Sequence, residues 1–242
     1  MTLISVIIPC YNTGICLESA IQSVLEQSHT EVEIIVQDNA STDPDTIAVL
    51  KKFESKINWY CEKDKGIYDA FNKGIGHAKG EWLYFMGADD RLAHPDVFQK
   101  LLSYLFDPKY KLITGDVVNE NRVSTWVPVR FHSAFGWKLL WKNSVHQQGC
   151  LYHKDCFASF QFDPQWKVLG DYQLHLRLNA TKRNKLTTDL IIAHCEATGI
   201  SKTFNTSLYQ EELRMKKVTL PYWQYLLNIP WIQLKKLLKA RG

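Results

Sequence analysis

No two cysteines in this chain stand in C-x-x-C spacing; the six fall at positions 10, 16, 61, 150, 156 and 195. Neither a zinc site nor a disulfide framework is suggested, and a reducing cytosol is the simplest compartment. No apolar stretch reaches the ~18 residues of a membrane-spanning helix. MTLISVIIP lacks a basic flank and a cleavage site, so it is expected to be a first strand and not a signal peptide. The net charge is only +4, from 29 Lys+Arg against 25 Asp+Glu. That is far from the excess of a dedicated nucleic-acid binder, and no nucleic-acid partner is expected. Repeats and low-complexity segments are absent. A G-x-G-x-x-G turn after the first strand is also missing, which counts against NAD or FAD. What remains is a chain of 242 residues, 45% apolar, enough for one sizeable domain or a domain with an appendage.

The first half alternates short β-branched runs with helical stripes. Leu3 to Ile8 reads as a strand closed by Pro9, and Ile15 to Gln27 as a helix with Ile15, Leu17, Ala20, Ile21, Val24 and Leu25 on one side. Val32 to Val36 is the second strand. Asp43 or Thr42 can cap the next helix, about Asp45 to Ser55, with Pro44 just inside it. Ile57 to Cys61 is a third strand, and Ile67 to Ala78 a helix with Ile67, Ala70, Phe71, Gly74 and Ile75 on its apolar side. This alternation predicts a parallel sheet with right-handed crossovers.

The stretch EWLYFMGADD, Glu81 to Asp90, reads as a buried strand that stops at two adjacent carboxylates. Asp89 and Asp90 would then lie at the carboxyl edge of the sheet, where open α/β folds bind ligands. Like charges side by side call for a cation beside them. The plain alternative is a solvated turn or cap leading into Pro95 and Asp96. The small step Gly87-Ala88 leaves room for a ligand, and we read the pair as a site for a divalent metal and a nucleotide diphosphate. Tyr11-Asn12, Asp38-Asn39 and Asp64-Lys65 close the other strands and face the same edge.

The pieces SVIIPCYN, EIIVQDNASTD, EKDKGIYDAFNKGIGHAKGEWLYFMGADD and VLGDYQLHLRL resemble the inverting family 2 glycosyltransferases with the A-type fold. DKGIYDAFNKG is most similar to bacterial members that build polysaccharide repeat units. The resemblance covers about residues 3 to 200. It implies an α/β fold: a single, mostly parallel-sheet, Rossmann-like glycosyltransferase A-type domain with a short helical C-terminal appendage. The domain would span 1–204, with a nucleotide-sugar half (about 1–115) and an acceptor half (about 116–204); an amphipathic tail would span 205–242. It further implies that Pro9, Tyr11, Asn12, Asp38, Asp64, Lys65 and Asp89 surround the nucleotide. Asp90 would bind Mn²⁺ or Mg²⁺, with Asp89 on the ribose or a metal-bound water and His146 near the metal or diphosphate. For His146, as for Asn72 and Lys73 on their helix, a purely structural role is the alternative. Many members carry two acids where this chain has Gly170-Asp171, which leaves Asp171 as the general base; on pattern alone it would be a helix cap.

The expected activity is transfer of a sugar, with inversion, from a nucleotide-diphospho-sugar, UDP-linked by preference. The acceptor would be a glycan or a lipid-diphosphate-linked saccharide in surface-polysaccharide assembly such as O-antigen or capsule. ATGISK at 197–202 resembles a lid segment. The tail YWQYLLNIPWIQLKKLLKARG has aromatic and leucine residues on one side and Lys235, Lys236, Lys239 and Arg241 on the other. It can lie on an anionic membrane surface at the inner face of the cell membrane, or dock on its own domain or on a second copy in a homodimer. Two rival readings are a nucleotidyltransferase and a non-catalytic nucleotide-sugar or glycan-binding module.

Overall fold

The computed structural model describes residues 3–122, 124–181, 184–196 and 204–239. The expected ATGISK lid and Arg241 lie outside them. In the first half, β1 (Ile4–Cys10), α1 (Cys16–Leu25), β2 (Val32–Asp38), α2 (Pro44–Phe53), β3 (Asn58–Cys61), α3 (Ile67–His77) and β4 (Trp82–Phe85) alternate as the sequence predicts. All four strands are parallel neighbours, with Ile4 opposite Val32 and Trp82, and Ile35 opposite Asn58. β1 and β4 are apolar on both faces because helices cover both sides. Asp43 caps α2 by accepting the Thr46 N–H at 2.8 Å, with Pro44 at the first helical position.

The second half supplies β5 (Arg91–Leu92), α4 (Val97–Leu105), β6 (Tyr110–Glu120), β7 (Arg130–Phe131), β8 (Cys150–His153), α5 (Gly170–Ala180), β9 (Asn184–Glu196), α6 (Thr206–Thr219) and α7 (Tyr222–Lys239). The sheet order is β3-β2-β1-β4-β8-β6-β9-β5, with β7 on β6. β8 runs antiparallel to both β4 and β6, and β9 is parallel to β6, so this half is mixed. β6 runs on to Glu120 and turns at Asn121 (φ 46°) before β7 pairs back on it. The carboxyl ends of β1, β2, β4, β6 and β9 therefore open at one edge of the sheet.

Two apolar clusters lie on opposite faces. Ile4, Val6 and Ile8 join Leu17, Val49 and Phe98 on one side. Ile7, Ile35 and Phe85 join Phe71, Tyr152, Phe162 and Leu174 on the other. Phe85 is fully buried with the rings of Phe71 and Phe162 edge-on at 4.8 and 5.7 Å. Each such burial contributes about 1.5–3 kcal/mol, and the ring geometry somewhat more. Two helix stripes hold in their middles and fail at their ends. Ile15 is 72% and Ile67 42% exposed, while Tyr68 is buried at 4%. Both isoleucines sit where a loop enters a helix, before the stripe has turned inward.

α6 is part of the core, with Tyr209, Glu211, Glu212, Met215 and Lys216 buried. The Lys216 ammonium is held by Glu212 (2.9 Å), the Leu140 carbonyl (3.0 Å) and Asn228 Oδ1 (2.8 Å). Burial pulls it down to about 8, against the opposing pull of Glu212. α7 docks by one face: Asn228 and Ile232 are buried, the Trp231 indole donates to the Trp141 carbonyl at 2.9 Å, and Lys235 pairs with Glu212 at 2.6 Å. Lys235 is thus engaged with the domain. Tyr222, Trp223, Leu227 and Leu237 are more than half exposed on α7. Among the described residues no helix is long and apolar enough to cross a membrane.

Candidate active site

The loops after the first three strands are stitched to one another. Asn12, held at φ 50°, accepts the N–H groups of Thr42 and Asp43 at 2.9 Å on its side-chain oxygen. Its own N–H donates to the Ser41 hydroxyl at 3.0 Å. Asn39 accepts the Asp64 N–H at 2.8 Å, and Asp64 accepts the Gly66 N–H at 2.8 Å. Burial holds the Asp64 carboxyl above its ordinary range. Asp38 is buried; one oxygen takes the Ser41 N–H and hydroxyl, and the other faces the Trp59 indole N–H at 3.4 Å. Its first duty is therefore to shape the loop, and a base contact would share the oxygen that faces Trp59. Tyr11 is 60% exposed at the same edge, with Pro9 part-buried beneath it at the end of β1 and Lys65 exposed on the next loop.

β4 ends at Phe85, earlier than the sequence suggests, and a turn through Gly87 carries the chain to the carboxylate pair. Asp90 is buried, and its two oxygens accept the Gly87 N–H (3.2 Å) and the Glu196 N–H (3.1 Å). Burial, then the neighbouring Asp89 charge, push its carboxyl up to about 7. Asp89 is exposed, yet it too is held above its ordinary range, by desolvation and then by Glu196. The adjacent cation, Arg91, is turned away in a two-pronged pair with Glu120 at 2.6 Å. A Cβ at Gly87 would lie 2.6 Å from an Asp90 oxygen and 2.8 Å from an Asp89 oxygen, so only glycine leaves this hollow open. Crowded hard oxygens with surplus negative charge fit a divalent cation. Among the described residues no three Asp, Glu, His or Cys groups form a metal cage, so Asp89, Asp90 and His146 do not make a closed set. An ion here would draw further oxygens from a bound diphosphate and water. His146 lies before the 3-10 turn Gln147–Gly149 leading to β8, its ring edge-on to Phe131 at 5.4 Å.

Asp171 lies in the first turn of α5, half-buried, and is not the cap. The N-cap is Leu169, which has no side-chain oxygen to offer. Glu211, reaching over from α6, instead fixes the segment entering the helix: its buried carboxylate accepts the N–H groups of Lys167, Val168 and Leu169 at 3.2, 2.8 and 2.8 Å. An anion there also suits the positive end of the helix. The sequence carried no signal for Glu211, since its partners lie over forty residues away. Tyr68, from the first turn of α3, donates to the Val168 carbonyl at 2.7 Å and faces Asp171 Oδ1 at 3.3 Å. It was missed because the apolar stripe was placed on Ile67; the alternative spacing Tyr68, Phe71, Ile75 would have found it. Asn72 is structural, exchanging bonds with the Phe162 backbone at 2.7 and 2.9 Å, and Lys73 pairs with Glu62 at 3.4 Å.

The Asp89-Asp90 pair thus follows β4, and Asp171 is tied through Tyr68 to the helix that begins after the Asp64–Gly66 loop. Comparison with known proteins bears on the family and the fold. The Glycosyl transferase family 2 model matches residues 5–163. A Mycobacterium bovis PGL/p-HBAD biosynthesis glycosyltransferase is 26% identical over 220 residues, covering 87% of this chain and 84% of its own. S. aureus TarS residues 1–349, solved with UDP-GlcNAc, superposes with a TM-score of 0.71 at 17% identity, over 92% of this chain and 69% of that one. Against another crystal structure of S. aureus TarS, this chain spans 41% of the length of that one. The mannosyltransferase PcManGT from Pyrobaculum calidifontis, solved with GDP-Man and Mn²⁺, gives 0.64 at 16% identity, over 99% of this chain and 75% of that one. The chain belongs to glycosyl transferase family 2.

Proposed function

We propose that this glycosyltransferase moves a sugar from a UDP-linked donor, with inversion, to a glycan or lipid-diphosphate-linked acceptor in bacterial polysaccharide or glycolipid assembly. The observation that supports this reading is the crowded Asp89-Asp90 pair around Gly87 after β4, on a sheet whose first three strands end in loops bonded to one another. Tyr11 and Pro9 flank the base, with Asp38, Asn12, Asp64 and Lys65 around base, ribose and phosphates. Asp89 and Asp90 hold Mn²⁺ or Mg²⁺, which when bound offsets the charge on the leaving nucleoside diphosphate. Asp171 takes the proton of the acceptor hydroxyl as that oxygen attacks the anomeric carbon from the face opposite the diphosphate. His146, within the segment leading to β8, would serve the diphosphate or the metal.

The exposed aromatic and leucine face of α7 supports a second part of the proposal, attachment to the inner face of the cell membrane. The only carboxylates on α6 and α7 are Glu211 and Glu212, both buried, so that surface offers an anionic membrane no repelling charge. A screen of nucleotide sugars for divalent-metal-dependent release of nucleoside diphosphate, with and without lipid-linked acceptors, tests the activity. Release with no donor in the screen would leave a binding module in its place.

A further inference from the structure

We propose that Tyr68 is a positioning residue for Asp171, holding that carboxyl in its reactive orientation from the floor beneath Gly170. The inference rests on the reading of Asp171 as the general base.

Three observations carry it. The first is packing. A Cβ at Gly170 would lie 2.8–2.9 Å from three atoms of the Tyr68 ring. Any side chain at 170 would displace the phenol, so the absence of a second acid before Asp171 and the presence of Tyr68 are one arrangement. The second is hydrogen bonding. The phenol has one proton and two acceptors in reach, the Val168 carbonyl at 2.7 Å and Asp171 Oδ1 at 3.3 Å. The shorter bond goes to the carbonyl, and Asp171 Oδ1 stays within reach of the same proton, a contact that charge on the carboxylate strengthens. When Asp171 has taken the acceptor's proton, the carbonyl still accepts, and the buried hydroxyl is never orphaned. Burial raises the phenol well above its ordinary range, so it remains a donor throughout.

The third observation is placement. Tyr68 stands four residues after Asp64, in the first turn of the helix that begins at the Asp64–Gly66 loop. Its ring stacks on Phe162 at 5.4 Å and packs near Phe71, which contacts Phe85 of β4. The donor loop and the base are thereby fixed to one rigid element.

The experiment compares four proteins: parent, Tyr68→Phe, Asp171→Asn and the double variant. Turnover and donor KM are measured with a UDP-sugar, and UDP binding with Mn²⁺ by calorimetry. Tyr68→Phe keeps the ring and should lower kcat by about 10- to 100-fold, the range for a misplaced reacting group. Donor KM and UDP affinity should stay within about twofold. In the Asp171→Asn background the same change should cost nothing more. Gly170→Ala, which pushes the ring aside, should reproduce the kcat loss. A parental kcat for Tyr68→Phe alongside an inactive Asp171→Asn would overturn this inference and leave the base intact. UDP affinity falling in step with kcat would overturn it as a general packing role. Parental transfer by Asp171→Asn would remove the base and the inference together.

Discussion

Asp90 accepts the backbone N–H of Glu196 at 3.1 Å, joining the end of β4 to the end of β9 across 106 residues of sequence. The carboxylate that would bind metal is thus buried against the last residue of a strand in the acceptor half. Its environment disfavours charge, and this has a measurable sign. A carboxyl at about 7 when folded, against 3.8 otherwise, contributes its full stability below pH 4 and loses it as pH rises toward 7. His175 acts the other way. Burial holds it down to about 3, so its contribution is full above pH 6.5 and is lost as pH falls.

Comparing parent with Asp90→Asn removes the His175 background. The asparagine gives up one of the two backbone acceptors, so the readout is the pH dependence: without metal, the stability difference should shift toward the variant as pH rises from about 5 to 7.5. With saturating Mn²⁺ the parent should gain about 2–4 kcal/mol and the variant nothing. Equal metal stabilisation of both forms, read by differential scanning calorimetry, would reassign the ion.

Asp171→Asn should retain donor affinity and lose transfer by ~10²-fold or more, as when a general base is removed. Single-turnover assays under saturating donor separate this from slow product release. An unchanged rate would direct attention to another residue.

Glu211→Ala should cost about 1–3 kcal/mol, because three part-buried N–H groups lose a buried charged partner. It should also slow transfer, since the segment it holds leads into Asp171. Glu211→Gln should be milder on both counts. Thermal unfolding that stays at the parent value would show that the bonds to Lys167, Val168 and Leu169 are dispensable.

Replacing Trp223, Leu227 and Leu237 together by serine leaves the docked face of α7, Asn228, Trp231, Ile232 and Lys235, untouched. Sedimentation with anionic vesicles should fall, most clearly at high salt, where apolar burial is what remains. UDP binding should not change. Equal vesicle binding by both proteins would exclude α7 as the contact.

The strand ends were legible because they obey local rules. Apolar runs stop at Pro9, at Asp38 and at Asp89-Asp90, and a parallel sheet then collects them at one edge without further information. β8 was harder: Cys150–His153 inserts antiparallel between β4 and β6, a long-range choice that four residues cannot announce. Tyr68 and Glu211 were illegible for the same reason. Each meets its partner by tertiary packing, Tyr68 across 103 residues to Asp171 and Glu211 across 42 to Leu169. Ile67 misled because a helix's first residue obeys the entering loop more than the stripe. The tail's expected split into an aromatic and a basic side is not kept, since Trp231 and Lys235 share the docked face, and composition does not say that Lys235 turns inward to Glu212.

The Glu211 contact also sets an order of events during synthesis. The nucleotide-binding half leaves the ribosome first and holds the strands that pair within it. The segment ahead of Asp171, by contrast, waits for a carboxylate that emerges some forty residues later. A chain that ended before α6 would therefore leave the backbone ahead of Asp171 without its carboxylate partner.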